Sequence, residues 1–380
     1  MLRVRFEGKL DSSEIAYLRL PTVDLSRVVE FSGNRDLQGA LEKWLSRPFE
    51  DTLEDMPLLR LEVLANNTVI LAMHHGIGDG LSNTAFHQSL IHALQEAPLP
   101  NHSVSSVVVP VTPVPPPLED AVDVRPLLWT TLGMFYEALV PKFWSKVYYA
   151  WTAHPVPTVI AFQTHVHLLQ FDLPRSRCHL NDTAAAGYKT IHVNVPVLLR
   201  GAAHAQSDVL CNYVSSCNTY PPLHTDFPWA RAARFAAELQ VQKHKARELI
   251  GMMHYISGDY AGFMKGQLGA KRTYGLMLSN PGRFEVPGFE GRWNIGNVFF
   301  GQCDSLAGSA LALDVVGDPA GGLNITITWG EKSLDTASSS NAIEADPVTK
   351  QRFYDALELF KGGELSSKEI TEKAIKELKA

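Results

Sequence analysis

The sequence predicts an α/β fold, and two observations carry that prediction. The first is a strand–turn–helix unit. Thr68-Val69-Ile70-Leu71-Ala72-Met73 is an apolar, partly β-branched run of strand length. It leads into His74-His75-Gly76-Ile77-Gly78-Asp79-Gly80, and from Leu81 to Leu94 the apolar residues recur at helical spacing. The second is alternation farther along the chain. Val159 to Phe171 and Thr190 to Arg200 read as strands, whereas Trp229 to Ile250, rich in Ala, Glu, Lys and Arg, and Val348 to Phe360 read as helices.

In order, residues 1–10 read as a strand, LRVRF, followed by a turn. This charged start has no apolar core of signal-peptide length, so secretion is not expected. Asp36 to Leu45 has weak helical periodicity. Leu59 to Leu64 alternates apolar and polar residues, as a half-exposed strand does, and Asn66-Asn67 is a hairpin turn into the strand before the histidines. Three glycines in the next turn predict positive φ and close backbone approach. Rigidly held turns of this kind are where sites are usually built.

Residues 98–119 are proline-rich and predict a surface connector. Arg125 to Trp151 is aromatic-rich and broken by Pro141. Its Leu127, Leu128, Trp129, Leu132, Phe135, Tyr136 and Leu139 suit a buried or membrane-facing helix, while Glu137, Lys142 and Lys146 argue against spanning. The favoured reading packs this helix across a domain junction or over a pocket. Peripheral membrane contact through 127–151 is the alternative. His165 and His167 share one face of the strand Val159–Phe171. Asp182 to Tyr188 is a helix fragment or loop, Thr190–Arg200 ends in its arginine, and a charged tail follows the helix at 348–360.

Composition bounds the function. A chain of 380 residues makes two domains or one large one, and 45% hydrophobic residues are enough for a large core. A net charge of −6 without a basic block argues against nucleic acid as partner. The four cysteines, Cys178, Cys211, Cys217 and Cys303, form no CxxC and read as free thiols of a reducing, cytoplasmic compartment. No apolar stretch is long enough to predict a spanning helix. Two histidines without a third ligand at suggestive spacing predict no metal, and no phosphate-cradling glycine loop of the P-loop type is present. The remaining lone histidines read as structural. A monomer with no resident cofactor and a small-molecule substrate is expected.

The chemistry concentrates at the histidine pair. Imidazole titrates near neutral pH, so at a strand end it can take a proton and return it. A bare His-His dipeptide reads better as two hydrogen-bonded loop residues. The full spacing HHxxxDG between strand and helix favours a general base, with Asp79 as the orienting carboxylate.

That motif resembles the signature of the HHxxxDG acyltransferase superfamily. Its members have the chloramphenicol-acetyltransferase-like fold and include nonribosomal-peptide condensation domains, plant BAHD acyltransferases and fungal alcohol and trichothecene acetyltransferases. Further segments follow in family order over residues 57–360. Pro57-Leu58-Leu59-Arg60-Leu61 is similar to the family's entry into the motif strand. The strand ending Leu199-Arg200, followed by Asn212-Tyr213, is similar to its LR and GNY elements, with Cys211 where glycine is usual. Leu276 to Phe284 resembles the SNLG segment, Trp293 to Cys303 the FSQS strand, and Gly321 to Trp329 the GGLNI strand of the fungal branch. The BAHD signature DFGWG is absent. Relatives carry a longer stretch before the histidines, so a shortened N-terminal region is expected.

The resemblance implies two similar α/β halves, each a mixed sheet with flanking helices and with the site between them. The halves would span residues 1–160 and 161–380, with a crossover strand at about 285–305. It implies that His75 is the base for attack of an alcohol or amine on an acyl thioester such as acyl-CoA. His74, Gly80 and Asp79 would be motif and structural support, with Asp79 paired to Arg200. Ser279, Asn280 and Gln302 become candidates for oxyanion or substrate contact. For Ser279 and Asn280 the alternative is a plain turn, and for Gln302 a hydrogen bond within the sheet. The expected activity is acyl transfer to a small, secondary-metabolite acceptor. The alternatives are a repurposed cyclase or isomerase, for example of Diels–Alder type, that needs no acyl donor, and a non-catalytic binding protein.

Overall fold

Ladder hydrogen bonds gather the chain into one large sheet and several small ones. The computed structural model describes residues 4–7, 16–49, 55–96, 106–109, 111, 113–140, 144, 146–158, 163–171, 188–222, 229–256, 260–285, 293–304, 308–331 and 333–334. In chain order the strands are β1 (Val4–Glu7), β2 (Ala16–Arg19), β3 (Thr22–Asp24), β4 (Val29–Phe31), β5 (Leu59–Val63), β6 (Val69–Met73), β7 (Ser106–Val108), β8 (Ala150–Trp151), β9 (Thr164–Phe171), β10 (Thr190–Ile191), β11 (Val193–Leu198), β12 (Val214–Thr219), β13 (Tyr274–Arg283), β14 (Ser309–Gly317) and β15 (Leu323–Gly330). The helices are α1 (Leu25–Val28), α2 (Leu37–Ser46), α3 (Gly80–Glu96), α4 (Leu118–Ala121), α5 (Leu128–Leu139), α6 (Lys146–Tyr149), α7 (Trp229–Gly251) and α8 (Tyr260–Lys265), with 3-10 turns at His75–Ile77 and Met252–Ile256.

The fold is mixed α/β, in two halves. The larger sheet has the order β12-β11-β13-β14-β15-β9, with β13 parallel to β11 and β14 and the other pairs antiparallel. The sheet of the first half is β4-β5-β6. There the Asn66-Asn67 turn closes the β5–β6 hairpin, Asn67 sits at φ 62°, and its N–H donates to Leu64 O. One apolar cluster, with Val4, Leu20, Val23, Val28, Leu58 and Ile77, lies under the histidine turn. A second, with Val197, Leu199, Tyr213 and Cys217, lies under β11 and β12.

Several sequence expectations need correction. β5 is not half-exposed: Arg60 and Glu62 are both buried, Glu62 at 2% exposure. The polar positions are buried because they are satisfied. Trp44 Nε1 and Lys43 Nζ donate to Glu62, and Arg60 Nη1 donates to the carbonyls of Pro57 and Leu59. The 98–119 connector carries two short elements where it is described: β7 pairs antiparallel with β3, and α4 begins at Leu118. The helix α5 is not packed under other elements by its apolar face; that face is exposed. The strand expected within 285–305 is, over the described residues 293–304, chain without regular structure, outside any ladder. It is held instead by single bonds: Gln95 Nε2 to Trp293 O at 2.5 Å, and Asn324 Nδ2 to Val298 O at 2.9 Å. The expected segments at 182–187 and 348–360 lie outside the described residues, as does Cys178.

The outer edge of the large sheet is β9, and α2 covers it. Gln38, Glu42 and Ser46 stand four residues apart on one face of α2. Their side-chain oxygens accept from the backbone N–H groups of Leu168, Val166 and Thr164, at 3.3, 2.8 and 2.9 Å. Four residues of helix rise about 6 Å and two residues of strand about 6.6 Å, so the two repeats stay in step. An open edge is thereby closed with side chains from the first half.

Candidate active site

The site begins where β6 ends. Ile77, fully buried, anchors the 3-10 turn in the core below it, and its N–H donates to His74 O at 3.0 Å. His74 turns its ring inward: Nδ1 accepts from Gly76 N at 3.0 Å, and Phe49 meets the ring edge-on. Burial, then the neighbouring charge of His75, lowers the pKa of His74, which suits a neutral acceptor at Nδ1. His75 is exposed at the head of the turn, and no described residue hydrogen-bonds its imidazole.

Behind the turn lies a polar knot. Asp79 and Arg200 form a bidentate pair: Nε donates to Oδ2 at 3.0 Å and Nη2 to Oδ1 at 2.7 Å, with both side chains buried. Arg200 spends its other donors on the carbonyls of Gln206, Val209 and Cys211 and on Ser82 Oγ. Asp79 also caps α3, accepting from Ser82 N at 3.0 Å. The main chain of Cys211 closes the knot, its carbonyl accepting from Asp79 N at 3.1 Å and from Ser82 Oγ at 3.0 Å. Each charge thus has a partner and each remaining lone pair a donor, the condition under which a buried ion pair holds a geometry.

Two of the three glycines of the motif, Gly76 and Gly78, act through space rather than φ. Positive-φ glycines among the described residues are Gly269, Gly282 and Gly321, none of them in this turn. A Cβ on Gly76 would stand 2.5 Å from Tyr17 Oη, whose hydroxyl donates to Gly76 O at 2.9 Å. A Cβ on Gly78 would stand 2.8 Å from both Met73 Cε and Ser82 Cβ. Gly80, by contrast, would meet only Pro281 Cβ at 3.9 Å.

That contact places the β13 segment beside the start of α3. Ser279 is half-buried on β13 and pairs in register with Asp314. Asn280 is exposed, and its Oδ1 accepts from Gly282 N at 2.9 Å, which leaves its amide N–H groups as donors. The β13–β14 register shifts between Ser279 and Gly282, so Asn280 lies in a bulge where strict strand alternation is interrupted. Gln302 does not present its amide to a pocket. Its backbone N and Nε2 donate to the two oxygens of Asp314, at 2.9 and 3.0 Å. Asp314 is fully buried, and burial pushes its carboxyl up to about 7 against those two donations. Tyr17 and Asp314 carried no signal in the sequence, since each matters through a partner outside its own element. Ser82 alone had a hint, standing three residues after Asp79 as a cap partner.

Among the described residues no group of three His, Cys, Asp or Glu could hold a metal, and no helix is long and apolar enough to cross a membrane. His165 instead stacks on Trp329, with ring centroids 5.6 Å apart.

With the geometry in place, comparison with known proteins sets the fold. SgcC5 of Streptomyces globisporus, solved in complex with a naphthyl ethanediol and sucrose, superposes with a TM-score of 0.51 at 12% identity, over 93% of this chain and 85% of that one. The fold is that of SgcC5. The first condensation domain of the calcium-dependent antibiotic synthetase is also similar, with a TM-score of 0.45 and 16% identity over 93% of this chain and 82% of the other. The motif on the SgcC5 fold makes the chain similar to the HHxxxDG superfamily, with its condensation-domain and acyltransferase members. No protein-family model matches. An uncharacterized protein of Schizosaccharomyces pombe is 24% identical over 328 residues, 76% of this chain and 72% of that one. The probable alcohol acetyltransferase crmB of Aspergillus fumigatus is 30% identical over 123 residues, 27% of each chain.

Proposed function

We propose that the protein is an acyltransferase that moves an acyl group from a thioester to the hydroxyl or amine of a small acceptor, with His75 as general base. What supports this reading most is the polar knot. A buried bidentate Asp79–Arg200 pair fixes the turn from behind while His75 stands exposed at its head, with no described residue occupying its imidazole. The local match to the probable alcohol acetyltransferase crmB points to the same chemistry and to an alcohol as acceptor.

In the proposed step His75 removes the proton from the acceptor O–H or N–H. The freed pair attacks the thioester carbonyl carbon, and negative charge develops on the carbonyl oxygen. As the tetrahedral intermediate collapses, the C–S bond breaks and the thiolate takes the proton from His75. No acyl-enzyme forms and the base ends as it began. A donor must meet the developing oxyanion. Gln302 gives one of its two amide N–H groups to Asp314, which turns the amide toward the sheet, and the hydroxyl of Ser279 and the amide N–H groups of Asn280 are the candidates favoured for that task. Holding both reactants beside His75 supplies the rest of the acceleration.

The test is to incubate the protein with acyl-CoA and a panel of alcohols and amines, following product mass and thiol release. The expected result is a gain of one acyl mass with stoichiometric thiol, and a loss of roughly 10²–10⁴ in turnover for His75→Ala. Ser279→Ala and Asn280→Ala test the donor: loss of the group that meets the oxyanion should lower kcat by about 10²–10³. Conversion of a substrate at constant mass with no donor present would overturn the transferase and leave a cyclase or isomerase on this fold.

A further inference from the structure

The helix α5 is docked the wrong way round for a helix that serves only the core. Leu128, Trp129, Leu132, Phe135, Tyr136 and Leu139 fall within an arc of roughly 120° at 3.6 residues per turn. That arc faces outward: Leu128 is 68% exposed, Trp129 81% and Leu139 82%. The threonines face inward instead. Thr130 Oγ1 donates to the buried carboxylate of Glu248 on α7, which also accepts from Leu127 N at 3.2 Å. Thr131 is half-buried, with its hydroxyl donating to Leu127 O.

This orientation is fixed by the fold. Gly251, the last residue of α7, has no room for a Cβ, because the carbonyl of Val124 and the ring of Pro126 lie against it. The apolar surface also continues past the helix, as Phe135 meets Tyr255 edge-on at 5.9 Å and Tyr255 is itself exposed. Soluble chains rarely present a continuous apolar patch of this kind without an occupant.

We infer that this face docks on the surface of a lipid bilayer containing anionic lipid, with α5 lying in the interface plane. Twelve residues rise about 18 Å, well short of the roughly 30 Å of a hydrocarbon core, so α5 cannot span one. A stripe of leucines with Trp129 and Tyr136 is the side-chain set that sits at the boundary of acyl chains and headgroups. The charge around it is complementary. By sequence, residues 126–150 carry Lys142 and Lys146 against Glu137, and residues 252–271, which hold Tyr255, carry Lys265 and Lys271, both exposed, against Asp259, in a chain of net charge −6. A second copy fits less well, because a two-fold contact would set this basic surplus against itself. The inference is independent of the proposed acyl transfer.

The full chain is mixed with phosphatidylcholine vesicles made with and without phosphatidylserine, and the vesicles are pelleted. It is expected to pellet with the anionic vesicles, less with the neutral ones, and less again as salt rises. Trp129→Asp together with Leu132→Asp should weaken binding by roughly 100-fold, about tenfold for each apolar side chain withdrawn from the interface. Since both side chains point away from the protein, circular dichroism and melting should match the parent; Trp129→Ser, a milder change, should weaken binding by roughly tenfold. Failure of the full chain to pellet, or equal pelleting by parent and variants, overturns the inference. So does a dimer in sedimentation velocity that the double variant splits while vesicle binding stays absent.

Discussion

At the scale of single residues, the motif divides into positions that hold the turn and one position that faces the solvent. Gly78 and Gly80 make the division testable. Gly78→Ala forces a methyl against Met73 and Ser82 and should cost roughly 1–3 kcal/mol in urea unfolding, as overpacking does. Gly80→Ala meets only Pro281, at an ordinary contact distance, at the first turn of α3 and should be neutral or slightly stabilising. Equal losses at both positions would mean that backbone freedom, not close approach, explains these glycines. Asp79→Ala leaves Arg200 buried without its counter-charge and should cost about 3–5 kcal/mol. Asp79→Asn, which keeps an acceptor for Ser82 N, should cost less. The motif was legible as a spacing in the sequence, whereas the arginine, 121 residues away, was legible only through the resemblance of the strand ending Leu199-Arg200 to the family's segment. Tyr17 was not, because its contact with Gly76 O is made across 59 residues by a side chain that looks like any strand tyrosine.

At the scale of elements, periodicity showed what each segment is but not which way it turns. The stripe on α5 can be read from the sequence, yet that it faces outward depends on Glu248, more than a hundred residues away, binding the helix by its polar side. β5 erred in the opposite sense: alternation implied a wet face, and Trp44 and Lys43 supplied buried partners that alternation cannot reveal. β14 carries the further case of Asp314. Its carboxyl is raised from 3.8 to about 7, so between those values the folded chain holds a proton that the unfolded chain has released. The unfolded state binds fewer protons there, and stability should therefore fall as pH rises from about 4 to about 7. Asp314→Asn should flatten that slope while keeping an acceptor for Gln302. Urea midpoints measured across the range for parent and variant decide the point, and an unchanged slope in the variant would assign it to other groups.

At the scale of the whole molecule, the α/β class and the family order of the segments were legible, while the joint between the halves was not. Nothing in Gln38, Glu42 and Ser46 marks them as anything but the polar face of a short helix. Their role exists only because the helix repeat and the strand repeat nearly coincide once α2 lies along β9. The consequence can be measured. Val166 is buried, and Glu42 Oε1 is the acceptor of its backbone N–H at 2.8 Å. Glu42→Ala should leave that amide unsatisfied and cost about 1–3 kcal/mol, more than the removal of an exposed glutamate. Glu42→Gln keeps a side-chain oxygen at the same reach and should restore most of the loss. Hydrogen exchange gives the local reading: in the alanine variant the amides of Val166, Leu168 and Thr164 should exchange faster, while those of β14, two strands inward, keep their protection. If α2 is a passive cover, alanine and glutamine will behave alike and exchange along β9 will not change. If it is the clasp that joins the first half to the large sheet, loosening one rung will open the edge strand ahead of the sheet it closes.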